Sequence, residues 1–299
     1  MDTLYDALII GAGPGGLQAA IYLGRFNRRV LVIDRSGGRT WHAKSIENFL
    51  THRSISGQEI IKRGTEQAKA FGVEFERALV ESLIKKDEVF EAHTSKGAIY
   101  RGRFVVAASG AYDNLPPIDG IHRFLGQGFY TCIDCDGYKT TGKKLIIIGN
   151  SLKTVHLALA MKKMFTKDIT LILYFYQVPE EYKEELREES IGLINARPVR
   201  LLGSERLEGL ELEDGRTLPC EAIMSHFGYK LNDGYLKALS LKKDQKGFKY
   251  VVNSSYESSL SGLYIVGPLN TGNDQAIISA GEGAVSAIDI NKRLIELGG

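Results

Sequence analysis

Residues 4–23 read LYDALIIGAGPGGLQAAIYL. The apolar run from Tyr5 to Ile10 has the length of a buried strand, Gly11, Gly13 and Gly16 follow as G-x-G-x-x-G, and an apolar helical pattern continues through Leu23. In such a turn the second glycine lets backbone approach a pyrophosphate, and the third lets helix lie close on strand. A second apolar run, Val30 to Ile33, ends in Asp34, 23 residues after Gly11, where an acid can accept a hydrogen bond from a ribose hydroxyl. These features predict a dinucleotide site at the head of a parallel α/β unit, with FAD and NAD both open as its ligand.

A second unit of the same outline begins at Lys144. Leu145 to Ile148 reads as a buried strand and Leu152 to Met164 as a helix, with Gly149-Asn150-Ser151-Leu152-Lys153-Thr154 between. The first glycine is kept, but Ser151 stands at the second glycine's place and Thr154 at the third's. The next strand, from Ile169 to about Phe175, runs into LYFYQVPEEY, and Leu171–Tyr182 contains no Lys, Arg or His but two glutamates. A 2′-phosphate needs a cation, so the usual NADP site reads as dismantled. Tyr174, Phe175 and Tyr176 are open to two readings, strand-end core or a flat platform for another planar ligand.

A chain of 299 residues with 43% hydrophobic content can fill a core in each of two domains. Its 33 glycines gather in short loops after apolar runs, as phosphate-binding turns require. A formal charge of +2 is too mild to argue for nucleic acid. No segment has the length of a membrane span, and no basic region precedes the first apolar run. The expectation is a cytoplasmic protein with neither membrane nor nucleic acid as a partner.

The chain has three cysteines, and two of them stand in Thr131-Cys132-Ile133-Asp134-Cys135-Asp136-Gly137. A structural zinc site wants four ligands; Cys220 is isolated, reading as a packed strand residue, and His122 and His156 stand at no ligand spacing, so no metal is expected. The acids around the pair argue against a dry, inert one. A dithiol cycling through a disulfide remains, with Asp136 as general acid and base or, alternatively, as a turn-capping aspartate.

With its C-x-x-C-D-G just before the second unit's first strand, the chain resembles the low-molecular-weight thioredoxin reductases over nearly its whole length. Glu47-Asn48-Phe49 is similar to that family's flavin-contacting segment, and Ala108-Ser109-Gly110 to the turn that closes its first lobe. Gly262 to Gly267 is similar to its final flavin-domain strand, and Asp274-Gln275-Ala276 to the start of the helix whose N-terminus faces the flavin ring. The resemblance implies an α/β fold of two Rossmann-like three-layer nucleotide-binding domains, the second inserted into the first. It places FAD-binding parts at about residues 1–115 and 244–299 and the dithiol lobe at 116–243. Asn114 to Pro117 and Lys242 to Lys246 are then the expected hinges.

Three departures accompany the matches. The family's basic cluster for NADP is replaced by Leu173-Tyr174-Phe175-Tyr176 beside the altered glycine turn, Pro268 replaces an aspartate that contacts the ribityl chain, and Asp274 stands where arginine is usual. In these respects the chain is similar to divergent reductases that take electrons from ferredoxin, or that stack a second FAD in the vacated nicotinamide site.

The resemblance further implies FAD held by Gly11, Gly13, Gly16, Asp34, Asn48, Gly110, Gly267, Gln275 and Ala276. It implies electron flow from reduced flavin to the Cys132–Cys135 disulfide and on to a thioredoxin-like protein disulfide. Cys135 would face the flavin, Cys132 would exchange, Asp136 would move protons, and the working form would be a homodimer. Lysines 143, 144, 162, 163 and 167, with Arg25, Arg28, Arg29, Arg35 and Arg39, offer a basic face for an acidic donor or an ordinary solvated surface. Two rivals stay open: an FAD-dependent dithiol oxidase that uses oxygen, and a non-catalytic flavin-binding protein. Trp41 and His42, in the polar loop after Gly37-Gly38, are either near the flavin or incidental.

Overall fold

The first apolar run folds as β1 (Leu4–Ile10), buried along most of its length as a parallel strand covered on both faces must be. The computed structural model describes residues 3–298. Pro14 opens α1 (Pro14–Arg25), where its missing N–H leaves no bond unmade. Fully buried β2 (Val30–Ile33) follows, then the short α2 (Arg39–His42) that carries Trp41 and His42. Ser56 caps α3 (Gly57–Ala70) by accepting from the Glu59 N–H, the Ser-x-x-Glu arrangement of a helix start. Four further strands, β3 (Glu74–Glu76), β4 (Val80–Lys86), β5 (Val89–Thr94) and β6 (Ile99–Ala107), complete the first run of the sheet.

The chain then passes through β7 (Ala111–Asp113), α4 (Ile121–Phe124), β8 (Phe129–Tyr130) and α5 (Ile133–Asp136). The predicted second nucleotide unit appears as β9 (Leu145–Gly149), α6 (Leu152–Met164) and β10 (Ile169–Leu173). After it come α7 (Glu180–Glu188), β11 (Gly192–Ile194), β12 (Pro198–Leu202), β13 (Gly209–Leu212), β14 (Thr217–Pro219) and β15 (Ala222–His226). The return leg is β16 (Tyr229–Leu231), β17 (Leu263–Ile265) and α8 (Ala276–Glu296).

The residues up to Tyr112 and from Lys230 on form one unit, and Asp113–Tyr229 forms the other, inserted into it. In the first, the sheet order is β3-β2-β1-β6-β5-β4, with β17 also paired to β6. Alternate residues feed two cores. Ala7, Ile9 and Val32 meet Leu17, Ala287 and Ile290 of the helices, while Leu8, Ile10 and Leu31 meet Leu83, Phe90 and Tyr235 on the other face. In the inserted unit, the parallel sheet β11-β10-β9-β15-β8 carries helical residues such as Val155 and Leu186 on one face. Its other face packs against Leu201, Leu210 and Leu212 of the antiparallel sheet β12-β13-β14. Each unit is thus a Rossmann-type layered α/β domain.

The crossings fall at 112/113 and 229/230, not at the expected 115/116 and 243/244. Apolar content explains the larger shift: Tyr235 and Leu236 are buried in the first unit's core, with Leu231, Leu239 and Leu241 packed against it. The charged run Lys242 to Lys246, expected as a hinge, lies inside that unit, where the Lys242 N–H donates to Ser259 Oγ at 2.9 Å.

Candidate functional site

In the inserted unit the chain leaves β8 and turns into α5 with Cys132 as its N-cap residue. Cys132 and Cys135 are joined as a disulfide, their Cα atoms 5.3 Å apart. The Cys135 N–H donates to Cys132 Sγ at 3.2 Å, and the Asp136 N–H to the Cys132 carbonyl at 3.0 Å. The turn rests on the core through Ile133 and Phe165. A Cβ on Gly137 would lie 2.7 Å from the Phe165 ring, so the residue after Asp136 has no room for a side chain. Lys139, two residues further on, places Nζ 3.0 Å from Asp136 Oδ1, with side-chain exposures of 16% and 20%. Cys220 lies apart, just past β14, and burial pushes its thiol up to about 12.

In the first unit, a Cβ on Gly16 would lie 2.0 Å from the Gly11 carbonyl oxygen, whereas a Cβ on Gly13 would meet nothing nearer than 4.0 Å. Gly16 therefore serves the close packing of α1 on β1. Gly13 leaves open the space before the α1 N-terminus, whose amides have no side-chain cap. Asp34 Oδ1 accepts from the Ala12 N–H at 2.9 Å and Oδ2 from the Ser36 N–H at 2.7 Å, which fixes the carboxylate beyond the end of β2. This open turn, free helix end and fixed acid fit a dinucleotide.

The later segments converge within the same unit. Asn48 Nδ2 donates to Gln275 Oε1 at 2.9 Å, and Gln275 is the N-cap of α8, which begins at Ala276. Gly110 and Gly267 take left-handed backbone, with φ of 68° and 72°. Ser109 ties the first of these turns down by donating its hydroxyl to the Asn232 carbonyl at 2.7 Å. The Gly267 N–H and the Asn270 amide donate to Glu282 Oε2, and burial raises this carboxyl above its ordinary range. Asp274 accepts from Lys249 Nζ at 2.7 Å, and the same ammonium donates to the Gly272 carbonyl at 2.9 Å. The acid found in place of the usual arginine is thus paired with a cation from elsewhere in the chain.

At the second nucleotide turn Thr154 packs closely on Gly149. Thr154 is fully buried, and its hydroxyl oxygen lies 2.2 Å from where a Cβ on Gly149 would stand. The same hydroxyl is 3.4 Å from His226 Nδ1, whose ring burial and Lys153 hold below the usual histidine range. Ser151 begins α6 with extended backbone and no side-chain cap bond. β10 stops at Leu173, short of the expected Phe175, because Phe175 turns to a φ of 62° and stands 87% exposed. Tyr174 is buried, its ring 5.2 Å from Phe175 and 5.8 Å from Phe227. Burial raises the Tyr174 phenol, and Arg197 partly offsets that rise, which places a cation near these aromatics.

A family model described as pyridine nucleotide-disulphide oxidoreductase matches residues 5–283. The chain belongs to this family. It is 28% identical to the thioredoxin reductase of Aquifex aeolicus over 311 aligned positions, covering 98% of this chain and 94% of that one. It is 29% identical to the thioredoxin reductase of Treponema pallidum over 300 positions, covering 96% of each. Among solved structures, HlmI matches with a TM-score of 0.90 at 26% identity, covering 98% of this chain and 93% of HlmI. The thioredoxin reductase of Streptococcus pyogenes matches in fold with a TM-score of 0.89 at 22% identity, over 99% of this chain and all of that one.

As a member of the pyridine nucleotide-disulphide oxidoreductases, the protein is an FAD-dependent disulfide oxidoreductase whose redox-active pair is Cys132 and Cys135. The residues just described fit the flavin in the first unit. Sequence reasoning missed Lys139, Lys249, Glu282, Asn232 and Arg197. Lys139 carried a signal, since residues three apart on a helical turn face each other. Lys249 and Arg197 reach their partners through tertiary folding alone.

Proposed function

We propose that the protein passes electrons from reduced FAD through the Cys132–Cys135 disulfide to a thioredoxin-like protein disulfide, with an electron donor other than NADPH. The altered second nucleotide turn carries this reading. Thr154 stands at the third glycine's place and packs on Gly149, Ser151 stands at the second's, and Glu180 and Glu181 open α7 in place of a basic cluster. Glu180 is already paired with Lys183 and Arg187, so those cations of α7 are engaged. A charge-assisted contact is worth about 1.5–3 kcal/mol, so each one lost weakens binding by roughly one to two orders of magnitude.

Bound FAD supplies the electron pair that opens the disulfide. Gly13 and Asp34 would hold its nucleotide half, on a turn that Gly11 and Gly16 shape by close packing, and Asn48, Gly110, Gly267, Gln275 and Ala276 would hold the rest. In this reading Cys135 is the sulfur that takes the flavin's electrons and Cys132 the one that exchanges. In exchange, the Cys132 thiolate attacks a sulfur of the target disulfide; that bond breaks, and its leaving thiolate takes the proton Cys132 gave up. Asp136 then accepts the Cys135 proton, the Cys135 thiolate attacks Cys132 Sγ, and the second target thiolate leaves and is protonated from Asp136. Two electrons and two protons have passed to the target, and the Cys132–Cys135 disulfide is restored.

An acidic ferredoxin is one donor this reading admits, docking on the basic face. A second FAD is the other, and one observation favours it: Phe175 is held 87% exposed in a backbone conformation that costs a bulky residue free energy, with Tyr174 and Phe227 behind it and Arg197 nearby. The working form in this reading is a cytoplasmic homodimer. Among the described residues no helix is long and apolar enough to cross a membrane. The test is a set of anaerobic spectra with NADPH, NADH, reduced ferredoxin and reduced free flavin offered in turn. Flavin bleaching by ferredoxin or free flavin supports the reading, and efficient bleaching by NADPH ends it.

A further inference from the structure

The segment after the dithiol carries a charge that no part of the proposed mechanism uses. Lys139 reaches back to Asp136, with Nζ 3.0 Å from Oδ1, and its ammonium also lies 5.7 Å from the Tyr138 ring centroid. At 16% exposure the side chain is held rather than solvated. Its backbone is pinned on both sides: Gly137 lies against Phe165, and the buried Thr140 donates its hydroxyl to the Gly137 carbonyl at 2.7 Å. The dithiol turn is otherwise acidic. Asp134 and Asp136 belong to α5, and Asp113 lies 3.4 Å from the hydroxyl of Thr131, next to Cys132.

A carboxylate next to a cysteine opposes its thiolate, because two like charges at short range raise the cost of forming the second. Asp136 is needed as an ionised base, yet its charge works against the thiolate it helps to form. We propose that Lys139 is a positioning residue that resolves this conflict: its ammonium holds Asp136 ionised and in place, and cancels the field that Asp136 would impose on the thiolates. The inference rests on the role assigned to Asp136. It adds a residue to the reaction and gives the partial burial of this ion pair a purpose.

The test uses the full-length, FAD-loaded protein with its disulfide reduced by a phosphine. The readout is the rate of Cys132 alkylation by iodoacetamide at pH 7, followed by mass spectrometry. If Lys139→Met raises the cost of the thiolate by one tenfold step, the thiolate fraction falls about tenfold, while its intrinsic nucleophilicity rises about threefold. The expected result is therefore alkylation slowed about threefold, with Lys139→Arg restoring the wild-type rate. Unchanged alkylation in Lys139→Met, or equal slowing in Lys139→Met and Lys139→Arg, would overturn the proposal. Lys139→Gln takes the place of Lys139→Met if the latter loses flavin or melts early. Turnover of Asp136→Asn separates the two ideas. Full activity there removes the role of Asp136, whereas lost activity there with unchanged alkylation in Lys139→Met removes only the role of Lys139.

Discussion

Thr154 occupies the space that a side chain at Gly149 would need: a Cβ there would fall 2.2 Å from the threonine hydroxyl oxygen and 2.6 Å from its methyl. The pair therefore packs α6 closely on the end of β9, as Gly11 and Gly16 pack α1 on β1. Gly149→Ala should lower the thermal midpoint, since overpacking a filled site costs about 1–3 kcal/mol. Adding Thr154→Ala should recover much of that loss, because residues in contact are coupled. Strictly additive losses, measured by calorimetry, would show that the two do not compete for this space.

Gly13 and Gly16 should fail in different ways. Gly13→Ala meets nothing within the fold nearer than 4.0 Å, so the protein should fold normally yet emerge with little or no bound flavin. Gly16→Ala places its methyl 2.0 Å from the Gly11 carbonyl and should damage the fold itself. The ratio of flavin to protein absorbance, read beside a melting curve, checks both. A fully yellow Gly13→Ala protein would move the pyrophosphate site elsewhere.

The two cysteines should also separate. Cys135→Ser should keep FAD and lose all disulfide reduction. Cys132→Ser should keep a Cys135 thiolate able to perturb the flavin spectrum, without turnover. Asp136→Asn should lower turnover by about 10²–10⁴, the usual contribution of a general acid and base. Turnover retained in either serine variant would make the disulfide structural.

Much of this was legible in the chain because local patterns carry it. The strand, glycine turn, helix and acid of residues 4–34 are set by neighbours in sequence, as is the C-x-x-C-D-G turn. What was hidden depends on tertiary packing. Nothing in Leu231 to Leu241 says that it packs on the first unit, so the domain crossing was expected too late. Phe175 ends β10 early through a left-handed backbone that periodicity does not encode. The pairing of Lys249 with Asp274, and the nearness of Arg197 to Tyr174, join residues far apart in sequence.

Glu282 gives a prediction in pH. Its carboxyl is buried and titrates above the ordinary carboxylate range in the folded protein, so its contribution to stability is greatest below its unfolded value and is lost as pH rises through the raised folded value. Glu282→Gln keeps an acceptor for the Gly267 N–H and the Asn270 amide without the buried charge. Its thermal midpoint, relative to wild type, should gain at pH 8 and lose that advantage toward pH 4. A difference that stays constant with pH would mean that Glu282 ionises in the fold without penalty.

Salt should discriminate between the donors. If acidic ferredoxin docks on the lysine-rich face, flavin reduction should slow steeply between low and physiological ionic strength, because steering by opposite charges is screened over about 8–10 Å. Reduction by free reduced flavin should vary little. A salt-independent ferredoxin reaction would remove the basic face from the account.

The proposed function requires that this FAD-dependent disulfide oxidoreductase draw its electrons from a donor other than NADPH. Stopped-flow mixing of the oxidised, FAD-loaded protein with NADPH in the absence of oxygen, followed through the flavin absorbance, decides between the donors. Ser151 and Thr154 at the second and third glycine places, and Glu180 and Glu181 at the start of α7 in place of a basic cluster, predict very slow bleaching or none, with rapid bleaching when reduced ferredoxin or reduced free flavin is offered instead. Rapid bleaching by NADPH at micromolar concentration would mean that the second unit still binds NADPH as donor.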